Sequence, residues 1–194
     1  MSWITTILDK DQQLFIYLNH LGSENWDGFW LTITDKYTWI PLYFVLLFLL
    51  YWFFGWRKAL VLVLITAVLV AFTDQFVNLI KYSTHRLRPN RDPAIRDIIR
   101  VLKNSGGFSF VSGHATNSFA VATFMILHLR KHFKFIFLVL VWPILFLYSR
   151  IYVGVHYPID LFFGMLLGIV IGISFYKISL LILQKLKKDS RFKI

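Results

Sequence analysis

The stretch TWIPLYFVLLFLLYWFFGW, Thr38 to Trp56, contains no charged side chain and runs directly into Arg57 and Lys58. A helix of about 20 uncharged, mainly apolar residues is long enough to cross the hydrocarbon core of a bilayer. This stretch therefore predicts a transmembrane span, and the rest of the chain repeats the pattern. A second apolar run extends from Ala59 to about Ile80 and carries Asp74, Gln75 and Asn78 near its far end. A polar loop follows over residues 81–110, then a span from Ser112 to Leu129, a short one over 135–148, and a last one from Pro158 to about Tyr176. The composition agrees, with 57% hydrophobic and 19% aromatic residues, well above an ordinary soluble domain. The expected fold is all-α: a polytopic transmembrane helical bundle of about five to six spans, forming one domain over residues 1–194.

Upstream of the spans, residues 1–35 mix apolar and acidic side chains with Trp3, Trp26 and Trp30, and Gly22 and Ser23 divide them into two pieces. Neither piece is apolar enough to span, so both read as amphipathic interfacial helices. The start, MSWITTILDKDQQLF, lacks a basic segment followed by an apolar core, and no cleaved signal peptide is expected. Residues 36–183 form the expected transmembrane core, and 184–194 a basic cytoplasmic tail.

The net charge of +11 would suit nucleic acid in a soluble chain. Here the cations fall between apolar spans, which is the pattern of membrane topology and anionic headgroups, so no nucleic-acid partner is expected. The absence of cysteine excludes disulfides and thiol chemistry. Arg57 and Lys58, then Arg130, Lys131 and Lys134, then the basic tail fall on one side, which the positive-inside rule makes cytoplasmic. The 81–110 loop lies on the other side yet carries Lys81, Arg86, Arg88, Arg91, Arg96, Arg100 and Lys103. Either the topology is inverted or those cations serve another purpose.

Three segments at that side suggest the purpose: KYSTHRLRP (Lys81–Pro89), SGH (Ser112–His114) and SRIYVGVHYPID (Ser149–Asp160). Lys81, Arg88 and Arg150 would bring together three cations that repel unless an anion fills the gap. Ser112 is a good helix N-cap and Gly113 permits close backbone approach. A helix N-terminus offers free N–H groups to an oxyanion, and arginine forks match phosphate oxygens. His156 and Asp160 are four apart, with Pro158 suited to a first helical position. That spacing lets the carboxylate reach one ring nitrogen and leave the other free to attack. His114 stands where it can protonate a leaving oxygen.

The pattern Lys81…Arg88-Pro89, Ser112-Gly113-His114 and Ser149-Arg150…His156…Asp160 resembles the type 2 phosphatidic acid phosphatase superfamily, over about residues 75–170. The resemblance implies a helical membrane lipid phosphatase with no metal or other cofactor and a phosphohistidine intermediate. It would assign phosphate binding to Lys81, Arg88, Ser112, Gly113 and Arg150, general acid catalysis to His114, nucleophilic attack to His156, and its orientation to Asp160. Val111 stands where the family usually has proline, which would preorganise the turn but adds no catalytic group.

Each block has a plainer reading on its own: Lys81 as a snorkelling cation, Ser112 as a cap alone, His156 and Asp160 as a structural pair. A metal held by His114, His156 and Asp160 is opposed by the three cations. Asp74, Asn78 and Lys81 share one helix face, either as hydrogen-bond partners of the site or as a packing stripe. His128 and His132 are expected in solvent beside the cytoplasmic basic cluster, and Tyr152 and Tyr157 as interfacial anchors. The expected substrate is a phosphorylated lipid of the bacterial inner membrane, with the site facing the periplasm. Undecaprenyl diphosphate ranks first, ahead of lipid A and phosphatidylglycerophosphate. Lipid-to-lipid phosphotransfer and non-catalytic binding of anionic lipid are the other classes, and the sequence does not specify an oligomeric state.

Overall fold

Gly55 adopts φ 74 and ψ 166 and breaks a long helical stretch, α3 (Ile40–Thr84), into two arms. Glycine reaches this conformation without the steric cost that other residues meet. Leu47 and Val63, equally far from Gly55 along the chain, line one groove, so the arms fold back on each other. The first two expected spans are these arms.

The computed structural model describes residues 3–188. Ahead of α3 come α1 (Trp3–His20), α2 (Glu24–Ile33) and a 3-10 turn, Lys36–Trp39. After it come α4 (Gly113–Leu129), a 3-10 segment Lys134–Leu140 running into α5 (Val141–Tyr152), and α6 (Pro158–Lys188). No strand occurs among the described residues. Among the described residues, three stretches are long and apolar enough to cross a membrane: Lys36–Thr84, Lys134–Tyr152 and Pro158–Lys187. Residues 189–194 of the expected basic tail lie outside the described residues.

The outward surface suits lipid. Phe44, Trp52, Leu64, Val68, Leu79, Val170 and Leu181 are exposed, whereas Leu50, Leu62, Leu69, Phe124 and Leu129 are fully buried. Such an apolar exterior would drive association in water, and it matches hydrocarbon.

α4 packs against α6 along Gly164, Gly168 and Gly172. A Cβ at Gly164 would lie 2.9 Å from the Ser112 carbonyl oxygen, and one at Gly172 2.7 Å from that of Ala120. Small residues at four-residue spacing let helix backbones approach closely within membranes.

Two expectations change. α1 and α2 divide where Gly22 and Ser23 predict, but α1 does more than lie on a surface. It buries Asp11, Phe15 and Asn19, at four-residue spacing, and packs on α5 and α6. His128, expected in solvent, is buried among Phe54, Phe124 and Tyr176, with Nε2 2.9 Å from Ser179 Oγ. The end of α4 lies inside the bundle and carries His128 with it. His132 stays exposed against Phe53.

Gly168→Val should lower stability by about 1–3 kcal/mol, because backbone rather than a movable side chain fills the space. Thermal unfolding of the detergent-purified protein reads this. Gly28→Ala, with nothing within 4 Å of its added Cβ, serves as the control.

Candidate active site

The chain turns sharply after α5 at Gly154, whose φ of 82 and close approach to the Arg100 carbonyl leave no room for a Cβ. The turn delivers His156 and the first turn of α6 into the protein interior, where His156 and Asp160 are both fully buried. Asp160 Oδ2 accepts from the Tyr157 N–H at 3.0 Å. The Asp160 carbonyl accepts from the Ser112 N–H at 3.1 Å, which fixes the start of α4 to the start of α6.

His156 lies between a carboxylate and a guanidinium. Nδ1 is 3.4 Å from Asp160 Oδ2, within ion-pair range but without hydrogen-bond geometry. Nε2 is 2.9 Å from Arg88 Nη1, which also donates to the Val155 carbonyl at 3.2 Å. Arginine only donates, so Nε2 carries the lone pair and the ring proton resides on Nδ1, facing Asp160. Burial, followed by the charges of Arg88, Arg150 and Lys81, holds the imidazole well below its ordinary pKa. The nitrogen that can attack an electrophile is the one Arg88 engages, so an anion reaching it must take over that arginine's donors.

The other cations converge on the same place. Arg150 is buried and donates through Nη1 to Thr34 Oγ1 at 2.7 Å. The Nε atoms of Arg88 and Arg150 are buried without a hydrogen-bond partner. Lys81 adjoins the N-terminus of α4: a Cβ at Gly113 would lie 3.9 Å from its Nζ. Ser112 is buried as the N-cap of α4, its Oγ accepting weakly from Ala115 N at 3.5 Å. Its own N–H is taken by the Asp160 carbonyl. The N–H groups of Gly113 and His114, in the first turn of α4, have no preceding carbonyl four residues back within the helix. Such an arrangement of arginines and helix N–H groups can bind an oxyanion.

Lys81, Gly113 and His114 open onto a cavity of about 670 Å³ lined by α3, α4 and α5 and reaching Lys36 at the end above α3. Its deeper walls include Leu46, Val70, Val121, Met125 and Trp142. His114 is exposed into this space, with its ring 5.2 Å from that of Phe146. All eight residues singled out from sequence belong to this region, the three just named on the cavity wall and the other five buried behind it.

Several residues went unrecognised in the sequence. Arg86 donates from Nη1 to Asp160 Oδ1 at 2.7 Å and from Nη2 to Asp11 Oδ2. Asp11 Oδ1 in turn accepts from the Ile159 N–H at 2.9 Å, capping α6 from α1. Burial raises the Asp11 carboxyl above its ordinary range, against the lowering effect of Arg86. Arg86 also stacks 4.2 Å from the Tyr157 ring centroid, and Tyr157 donates to Asp92 at 2.9 Å. Tyr157 is thus a buried strut, not an interfacial anchor. The same holds for Tyr152, whose hydroxyl donates to Asp27 Oδ1 at 2.7 Å. The only local signal for Asp11 was its four-residue spacing to Phe15 and Asn19.

Comparison with known proteins adds the relatives. The family model described as the PAP2 superfamily matches residues 58–182. A lipid A 4'-phosphatase of Bacteroides thetaiotaomicron is 37% identical over 191 residues, covering 96% of this chain and 84% of that protein. A lipid A 4'-phosphatase of Porphyromonas gingivalis is 31% identical over 90% of this chain and 75% of its own length. The undecaprenyl-diphosphatase BcrC of Bacillus subtilis is 25% identical over 70% of this chain and 67% of its own. Among solved structures, a transmembrane PAP2-type phosphatidylglycerolphosphate phosphatase from Bacillus subtilis superposes with a TM-score of 0.70. That match covers 90% of this chain and 86% of the other at 19% identity, a likeness of fold.

Two outcomes follow from the geometry. In ¹⁵N-histidine spectra, His156 should remain neutral, with its proton on Nδ1, at pH 6.5 and take up a second proton only well below it. Imidazolium at His156 at or above that pH would sink the assignment. Asp11→Ala leaves Arg86 with Asp160 alone and uncaps α6, and should cost about 1–3 kcal/mol of stability, as expected for buried donors left without an acceptor, again read by thermal unfolding.

Proposed function

The chain belongs to the PAP2 superfamily and is a bacterial membrane lipid phosphatase, and from that premise we propose that it removes a phosphate from lipid A at the periplasmic face of the inner membrane. The observation that carries the reaction type is the buried His156, with Nε2 against Arg88 and the ring within the field of Arg150 and Lys81. The substrate rests on the two lipid A 4'-phosphatases, which match more of the chain at higher identity than the undecaprenyl-diphosphatase does. This reverses the expected order, which put undecaprenyl diphosphate narrowly first. The motifs bind phosphate and carry no information about the lipid beneath it.

In this reading, phosphate oxygens draw Arg88 from His156 and engage Arg150, Lys81 and the first N–H groups of α4. Nε2 then attacks phosphorus, and the bond from phosphorus to the lipid oxygen breaks. His114, on the cavity wall, gives its proton to that oxygen. Asp160 stabilises the positive charge that develops on the ring, and the cations stabilise charge on the transferring phosphoryl group. Water, deprotonated by His114, cleaves the phosphohistidine and releases inorganic phosphate. Arg86 keeps Asp160 ionised and in place, and Asp11 holds Arg86.

The decisive assay is phosphate release by the purified protein in detergent with EDTA, offered lipid A, undecaprenyl diphosphate and phosphatidylglycerophosphate. Lipid A should be fastest, with EDTA having no effect. His156→Ala should abolish release, and His114→Ala should slow it by about 10²–10⁴-fold. Full activity in His156→Ala would overturn the mechanism, and a faster rate on undecaprenyl diphosphate would overturn the substrate.

A further inference from the structure

Asp74, Asn78 and Asn117 form a polar group inside a cavity whose other deep walls are mainly apolar. The second arm of α3 climbs toward the catalytic level and ends beyond Lys81, so Asp74 lies about 10 Å and Asn78 about 4–5 Å below Lys81 along the helix. α4 descends from that level, which puts Asn117 about 6 Å below Gly113. The three therefore lie on the bilayer side of the catalytic residues, where the body of a lipid must sit once its phosphate is bound.

An ionisable side chain at this depth is costly and is kept where it has a partner or a task. Asp74 has one hydrogen-bond partner, the Asn117 amide, which donates to Oδ1. That bond leaves Asn117 Oδ1 buried without a partner. Asn78 makes no side-chain hydrogen bond among the described residues and lines the same space. The site thus offers two unmet acceptors, a carboxylate oxygen and an amide oxygen, beside a free amide with both donor and acceptor capacity. A second groove of about 560 Å³ continues past Asp74 along Ala67, Val63 and Leu47, a path suited to hydrocarbon.

We infer that Asp74, Asn78 and Asn117 form a headgroup-recognition site for an N-acylated amino sugar, reading the amide N–H and hydroxyl donors directly below the phosphate. A polyprenyl diphosphate presents its second phosphate and then hydrocarbon there, with no N–H or hydroxyl donor for the unmet acceptors of Asp74 and Asn117. Phosphatidic acid has only ester acceptors there, which can take the Asn78 amide but leave the acceptors of Asp74 and Asn117 unmet. A site built to hydrogen-bond a substrate rejects an analogue lacking the matching group. This inference rests on the lipid A reading and supplies the physical basis for the preference.

The test compares a monophosphorylated, N- and O-acylated glucosamine lipid with phosphatidic acid and undecaprenyl diphosphate. The quantity read is the ratio of kcat/KM for the amino-sugar lipid to that for the faster of the other two. Asp74→Leu and Asn78→Leu should each lower this ratio about tenfold or more. Asn78 is exposed to the cavity and bonds to nothing, so Asn78→Leu keeps the test open if Asp74→Leu fails to fold. A wild-type preference for the amino-sugar lipid, with the ratio unchanged in the folded variants, overturns this inference alone. A wild-type enzyme that hydrolyses the others and ignores the amino-sugar lipid overturns the substrate reading and this inference with it.

Discussion

The structure depends on one buried carboxylate. Asp160 lies in the first turn of α6 without solvent contact, and ionised it needs compensation from every side. It has the Arg86 guanidinium on one oxygen, the Tyr157 N–H on the other, and the His156 ring at ion-pair distance. Its carbonyl takes the Ser112 N–H, so the same residue sets the separation of α4 from α6. That separation is possible only because Gly164, Gly168 and Gly172 present no Cβ to the α4 backbone. Stability and site geometry are therefore one constraint here: whatever widens the α4–α6 contact also pulls Ser112 away from Asp160.

The same network also gives a structural task to cations of the 81–110 loop. Arg86 and Arg88 are committed to Asp160, Asp11 and His156. Arg100 pairs with Asp27, and its main chain is held by Asn19. Arg96 is left at the surface beside Asp97. A raw charge count treats these residues as topological signals, whereas Arg86, Arg88 and Arg100 are held in buried or half-buried contacts made by the folded loop, and Arg96 in an exposed ion pair.

The legibility of the sequence divides along the same line. The three motif blocks could be read because each is local: a cap and its next two residues, a histidine and aspartate one helical turn apart, an arginine and lysine flanking a helix end. Arg86 sits inside the first block and was passed over, because its partner Asp11 is 75 residues away. An acidic residue in an amphipathic N-terminal helix reads equally well as facing water. Tyr152 and Tyr157 were misread for a related reason, since tyrosine near a span end usually marks the interface. What buries them is the fold of α1, α2 and the 81–110 loop around them, which no spacing records. The glycine spacing along α6 was legible, yet it becomes informative only with α4 opposite. The Asp74–Asn78 face was visible, and choosing between a packing stripe and a cavity wall required Asn117 from another helix.

The stitching of α1 also sets an order of events during synthesis. Asn19 donates to the carbonyls of Arg100, Ile151 and Tyr152, and Asp11 accepts from Ile159 and Arg86. α1 is made before all of these partners, which come from the loop after α3, from α5 and from the start of α6. Until α6 is made, His156 has no Asp160 beside it and Asp11 lacks its contact with the Ile159 N–H. The network around Asp160 is therefore complete only in a chain that contains both α1 and α6.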